Sequence, residues 1–145
     1  MTMRKILMAT AMTLTMGLGL APAHAGGSSV SIEQYGFGNG AAGAQSGKRN
    51  KLTVYQAGRG NTTISTQDGR YNRAVIGQTG KRNSADTYQR GRHNIVGVAQ
   101  FGSGHTVVTT QDGSGNAVGV IQAGRNNKAT STQVGAGNVA VIVQD

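Results

Sequence analysis

The sequence predicts an all-β protein, a β-solenoid of 22-residue coils with two short strands and two turns per coil. Three observations predict it. First, glutamine recurs every eleven residues, at Gln34, Gln45, Gln56, Gln67, Gln78, Gln89, Gln100, Gln111, Gln122, Gln133 and Gln144, with no insertion or deletion. Second, glycine follows two places later at Gly36, Gly47, Gly58, Gly69, Gly80, Gly91, Gly102, Gly113, Gly124 and Gly135. Asparagine follows five places later at Asn39, Asn50, Asn61, Asn72, Asn83, Asn94, Asn116, Asn127 and Asn138, with His105 as the exception. Third, the residues between each Asn and the next Gln alternate between larger and smaller side chains from one unit to the next. A metre kept this long marks a repeat architecture.

The metre begins after a different kind of sequence. Arg4 and Lys5 precede an apolar run from Ile6 to Leu20, and small residues stand at Ala23 and Ala25. That is the pattern of a secretory signal peptide, residues 1–25, cut after Ala25. The run is short for a membrane span of about 20 residues. Its removal takes away all five methionines and Pro22, and the remainder, 26–145, holds no Cys, Met, Pro or Trp. Arg4 and Lys5 leave too, so 12 basic and 5 acidic side chains give a net charge of +7. Without disulfides and with few large apolar side chains, an ordinary globular core is excluded. A chain rich in Gly, Ser, Thr, Asn and Gln could be disordered, but disorder requires no metre. Order must come from repetition.

Segments such as "N-KLTVY-Q" (Asn50 to Gln56) and "N-VAVIV-Q" (Asn138 to Gln144) are rich in Val, Ile, Thr and Tyr and are bounded by glycine-containing turns. They read as five-residue strands. Alternate residues of a strand share a face, so Asn, the second and fourth residues, and Gln all point inward. One set of strands then presents Val30/Ile32, Leu52/Val54, Ala74/Ile76, Val96/Val98, Val118/Val120 and Ala140/Ile142. The other presents Ala41/Gly43, Thr63/Ser65, Ala85/Thr87, Val107/Thr109 and Ala129/Ser131. Larger pairs opposite smaller ones let two sheets close tightly. The period is therefore 22, with coils starting at Ser28, Asn50, Asn72, Asn94 and Asn116 and a half coil from Asn138.

The glycine two places after each glutamine is expected to adopt positive φ and tighten a turn. Stacked coils hold equivalent residues about 4.8 Å apart. The Gln and Asn amides are therefore expected to bond in ladders, which gives the two facing, parallel, in-register sheets an amyloid-like cross-β character. Gln34, Gln56, Gln78, Gln100, Gln122 and Gln144 form one column, and Gln45, Gln67, Gln89, Gln111 and Gln133 the other.

These residues carry a resemblance. The segment "SSVSIEQYGFGNGAAGAQ" (Ser28 to Gln45) resembles the curlin repeat "S-x5-Q-x-G-x-G-N-x-A-x3-Q" at Ser28, Gln34, Gly36, Gly38, Asn39, Ala41 and Gln45. "NAVGVIQAGRNNKATSTQ" (Asn116 to Gln133) departs from it only in its first Asn and in Asn126. Curlins are subunits of bacterial curli amyloid fibres. The resemblance implies a secreted structural subunit exported through an outer-membrane pore and built into cell-surface fibres for adhesion and biofilm matrix. Its partners would be other copies of itself and a major or nucleating curli subunit. Most coils begin with Asn instead of Ser, and the mature chain lacks the Gly-rich leader of well-known major subunits. The regular Gln and Asn columns resemble major subunits more than the minor, nucleating kind.

Other functions fit less well. The remaining histidines, His93 and His105, lie in turns, and the carboxylates are Glu33, Asp68, Asp86, Asp112 and Asp145. Asp68 and Asp112 share a repeat position but stand two coils apart, roughly 10 Å, with no loop insertion to form a pocket. No enzyme, small-molecule substrate, cofactor or metal site is expected. An ice-binding Thr array would be interrupted by Ser84, Asp86, Tyr88 and Lys128. The turns, however, align Lys48, Arg70 and Arg92 on one edge and Arg59 and Lys81 on the other, joined by Arg49, Arg82, Arg90 and Arg125. Such rows could bind DNA or acidic polysaccharide without sequence specificity. The last strand, "VAVIV", is apolar on both faces, and no proline protects an edge, which predicts head-to-tail self-assembly.

Overall fold

The computed structural model describes residues 26–145. The expected signal peptide lies outside the described residues. Eleven strands follow one another: β1 (Ser29–Phe37), β2 (Gly40–Lys48), β3 (Lys51–Arg59), β4 (Thr62–Arg70), β5 (Arg73–Lys81), β6 (Ser84–Arg92), β7 (Ile95–Ser103), β8 (Thr106–Ser114), β9 (Ala117–Arg125), β10 (Lys128–Ala136) and β11 (Val139–Gln144). Odd strands form one parallel sheet in the order β1-β3-β5-β7-β9-β11, and even strands form the other, β10-β8-β6-β4-β2. Each residue pairs with the one 22 places on, as in Gln56↔Gln78 and Gln67↔Gln89. The β-solenoid and its 22-residue coil are as the metre predicts.

The inner face is also as expected. Leu52, Val54, Ala74, Ile76, Val96, Val98, Val118 and Val120 of the odd sheet meet Ala85, Val107 and Ala129 of the even sheet in one buried core. Gly43 shows how close the sheets come, because a Cβ there would collide with the Leu52 side chain. Among the described residues the core has one polar defect. Thr87 donates to Ser65 Oγ at 2.8 Å, but Thr109 Oγ1 is buried without a partner. An unpaired buried hydroxyl costs stability. Thr109→Val keeps the shape and should stabilise the chain by about 1 kcal/mol in a denaturant titration; a loss of stability would show that the hydroxyl is bonded.

The strands are longer than the sequence suggests, mostly nine residues instead of five. They run on through Gln and Gly, which keep their parallel partners (Gly58↔Gly80). Each glycine bends the strand at positive φ, between 86° at Gly124 and 128° at Gly113, while its hydrogen-bonded register continues. Pairing, not propensity, sets the strand end. The chain reverses in the two residues between strands, and the first of these has left-handed φ: Gly60, Arg82, Gly104 and Asn126 on one edge, Arg49, Tyr71 and His93 on the other.

Candidate functional site

The repeat amides form the most extensive polar assembly in the chain, and their burial explains why they must be paired. Gln56, Gln78, Gln100, Gln111 and Gln122 are wholly buried, as are Asn50, Asn61 and Asn94. In the odd sheet Nε2 of each glutamine donates to Oε1 of the next: Gln34 to Gln56 at 2.6 Å, then 2.8, 2.8, 3.0 and 2.8 Å through Gln78, Gln100 and Gln122 to Gln144. The even sheet repeats this from Gln45 through Gln67, Gln89 and Gln111 to Gln133. From Gln45 to Gln144 the second hydrogen of each amide crosses to the facing sheet, as Gln78 does to the Thr62 carbonyl at 3.0 Å. One side chain therefore ties coil to coil and sheet to sheet.

The asparagines stack differently from the expected amide-to-amide ladder. Asn72 Oδ1 accepts the backbone N–H of Asn94 at 3.1 Å. Its Nδ2 donates to the Asp68 carbonyl of its own turn at 3.2 Å and to the Gly91 carbonyl of the next coil at 3.1 Å. The same links recur at Asn50, Asn61, Asn83 and Asn94. Two asparagine amides bond directly only at Asn138, which donates to Asn116 Oδ1 at 3.0 Å. The reason is length: one methylene shorter than Gln, Asn turns back to local backbone groups. Asn is a clasp for the turn.

The glycine column lies between these two. A Cβ on Gly36, Gly47, Gly58, Gly69, Gly80, Gly91, Gly102 or Gly113 would overlap the backbone carbonyl of the glycine 22 residues on. Gly124 and Gly135 share the positive φ but lack that overlap.

The basic rows are in register and exposed. Lys48 pairs with Arg70 and Arg70 with Arg92, followed by Ser114 and Ala136. Arg59 pairs with Lys81, followed by Ser103 and Arg125. Beside the first row the left-handed turn residues stack: the Arg49 guanidinium lies 5.4 Å from the Tyr71 ring centre, and Tyr71 lies 4.9 Å from His93 at an interplanar angle of 4°. Sequence reading missed this column. Its signal was the residue before each Asn and before His105, which is Gly at 38, 60, 104, 115 and 137. It also missed the outer face of β7 and β9, where Ile95, Phe101 and Ile121 are exposed.

Among the described residues, no group of three or more His, Cys, Asp or Glu side chains is placed to hold a metal ion. What the arrangement can do is propagate: each coil presents the next with the same amides, the same glycine carbonyls and the same strand edges. No curated protein matches the chain. The curlin associated repeat matches it three times, at residues 27–58, 47–80 and 80–113. The matches span well over half the sequence, and the same register of glutamine, glycine and strand continues beyond them to Gln144. The chain belongs to the curlin repeat family.

Proposed function

We propose that the chain is a structural subunit of an extracellular curli-type fibre on the bacterial cell surface, growing end to end and serving adhesion and biofilm matrix. Curlin repeats support a fibre subunit. The observation that carries the reading further is the open state of both end rungs. Val30 and Ile32, whose equivalents Leu52 and Val54 are buried, stay 48 % and 40 % exposed, and at the other end Ala140 and Ile142 are only partly buried where their equivalents Val118 and Val120 are buried. A second copy brings the same register and can continue both glutamine columns, which favours an open, non-closing assembly. The columns run without interruption, which favours the major subunit over the minor, nucleating one. Through the family, the further partners are the complementary curli subunit and an outer-membrane secretion pore. No cofactor or small-molecule substrate enters this reading. The test is incubation of purified chain followed by electron microscopy and sedimentation. Conversion from monomer to fibres is expected, and a chain that stays monomeric at high concentration for days contradicts the proposal.

The cationic edges favour a second property, retention of polyanions such as DNA or acidic polysaccharide. The register holds Lys48, Arg70 and Arg92 in one row, so their repulsion is built in. At 0.01 M salt, where the Debye length is about 30 Å, that repulsion should delay nucleation. Moderate salt or polyanion should shorten the lag, and Arg70→Ser with Arg92→Ser should remove much of the response. A native lag insensitive to both additives removes this role and leaves the fibre reading intact.

A further inference from the structure

Ten positions stand five residues after a glutamine, and nine hold asparagine. The tenth, His105, is wholly buried. Its ring takes over the amide's work. Nδ1 accepts the backbone N–H of Asn127 at 3.2 Å, where an asparagine would use Oδ1. Nε2 lies 3.1 Å from the Phe101 carbonyl, where an asparagine would use Nδ2. A carbonyl only accepts, so Nε2 carries the hydrogen, and an N–H only donates, so Nδ1 is bare. The ring is thereby set as the neutral Nε2–H tautomer. The third asparagine link, made by Asn83 to the Gly102 carbonyl at 3.2 Å, has no counterpart from His105 to Gly124.

We propose that His105 is a proton-sensitive joint between the fourth and fifth coils, closed when its ring is neutral and opened when the ring takes a second proton. The added proton can only go to Nδ1. It removes the lone pair that Asn127 uses and sets two N–H groups against each other, with a buried positive charge. The surroundings offer little relief. Lys81, Arg82 and Arg125 line the same edge, and Lys128 opens the neighbouring β10. Of the carboxylates, Asp86 is exposed on β6, Asp112 lies at the far end of β8, and Asp145 follows β11 with its backbone beside Gly124. Protonation of the ring therefore breaks the bond to Asn127, and the joint is expected to loosen as acid is added.

Hydrogen exchange of the assigned Asn127 amide tests this, as a protection factor that cancels the intrinsic pH dependence. Between about pH 7.5 and about pH 5 the native chain should lose protection about tenfold. His105→Asn restores the repeat residue and should abolish that loss, while His93→Asn, at an exposed and stacked position, should leave it unchanged. Equal loss in the native chain and His105→Asn, or its removal by His93→Asn, overturns the proposal. A second reading is independent of any variant: ring nitrogen shifts of the native chain at about pH 7.5 should show a bare Nδ1 and a protonated Nε2. The opposite tautomer overturns it as well.

Discussion

Replacing Gly80 with alanine is expected to abolish the fold from the third coil outward, at a cost on the order of 4 kcal/mol or more. Two penalties coincide. Gly80 has φ of +123°, where a side chain is strained, and the carbonyl of Gly102 occupies the place a Cβ would take. The overlapping atom is backbone in a paired strand, so it cannot swing away. Gly119→Ala supplies the control, because Gly119 has no unusual φ and no atom within 4 Å of its Cβ position. That change should shift stability by less than about 0.5 kcal/mol. Denaturant midpoints of the two variants decide the matter, and similar losses at both sites would mean that glycine is needed for something other than close coil stacking.

The second large effect is expected at the glutamine column. Gln122 accepts from Gln100 at 3.0 Å and donates to Gln144 at 2.8 Å and to the Thr106 carbonyl at 3.3 Å. Gln122→Ala removes all three links and leaves a cavity in a wholly buried place, with an expected loss of about 2–4 kcal/mol. Assembly should slow far more than with Lys128→Ala, whose side chain is exposed. Gln133→Ala, in the other column, should behave like Gln122→Ala. The check is a comparison of lag and elongation rates at one concentration. Equal effects from the inward and outward substitutions would contradict a fibre that keeps Gln122 inside.

The metre was legible because every coil repeats it: Gln56, Gln78 and Gln100 each declare the same register, and a slip would unpair all of them. The inner face followed from strand alternation at Leu52, Val54, Ala74 and Ile76. Strand length was not legible, because a glycine such as Gly58 reads as a turn while its backbone still pairs with Gly80. Nor was the role of asparagine, since the difference between Asn72 and Gln78 lies in side-chain reach, which one-dimensional spacing does not express. The Arg49, Tyr71 and His93 stack was hidden because its common feature is a backbone angle shared by very different side chains. His105 read as the one break in the asparagine series, yet its ring nitrogens occupy the amide's two places.

The central claim is that glutamine stacks on glutamine one full coil away and keeps doing so in the assembled fibre. Solid-state NMR on fibres grown from selectively labelled chain tests it through side-chain nitrogen-to-carbon contacts of the Gln78 amide. A contact from Gln78 to Gln100, 22 residues on, is the expected result. A contact from Gln78 to Gln89, 11 residues on, would place neighbouring repeats in one sheet and contradict the two-sheet coil.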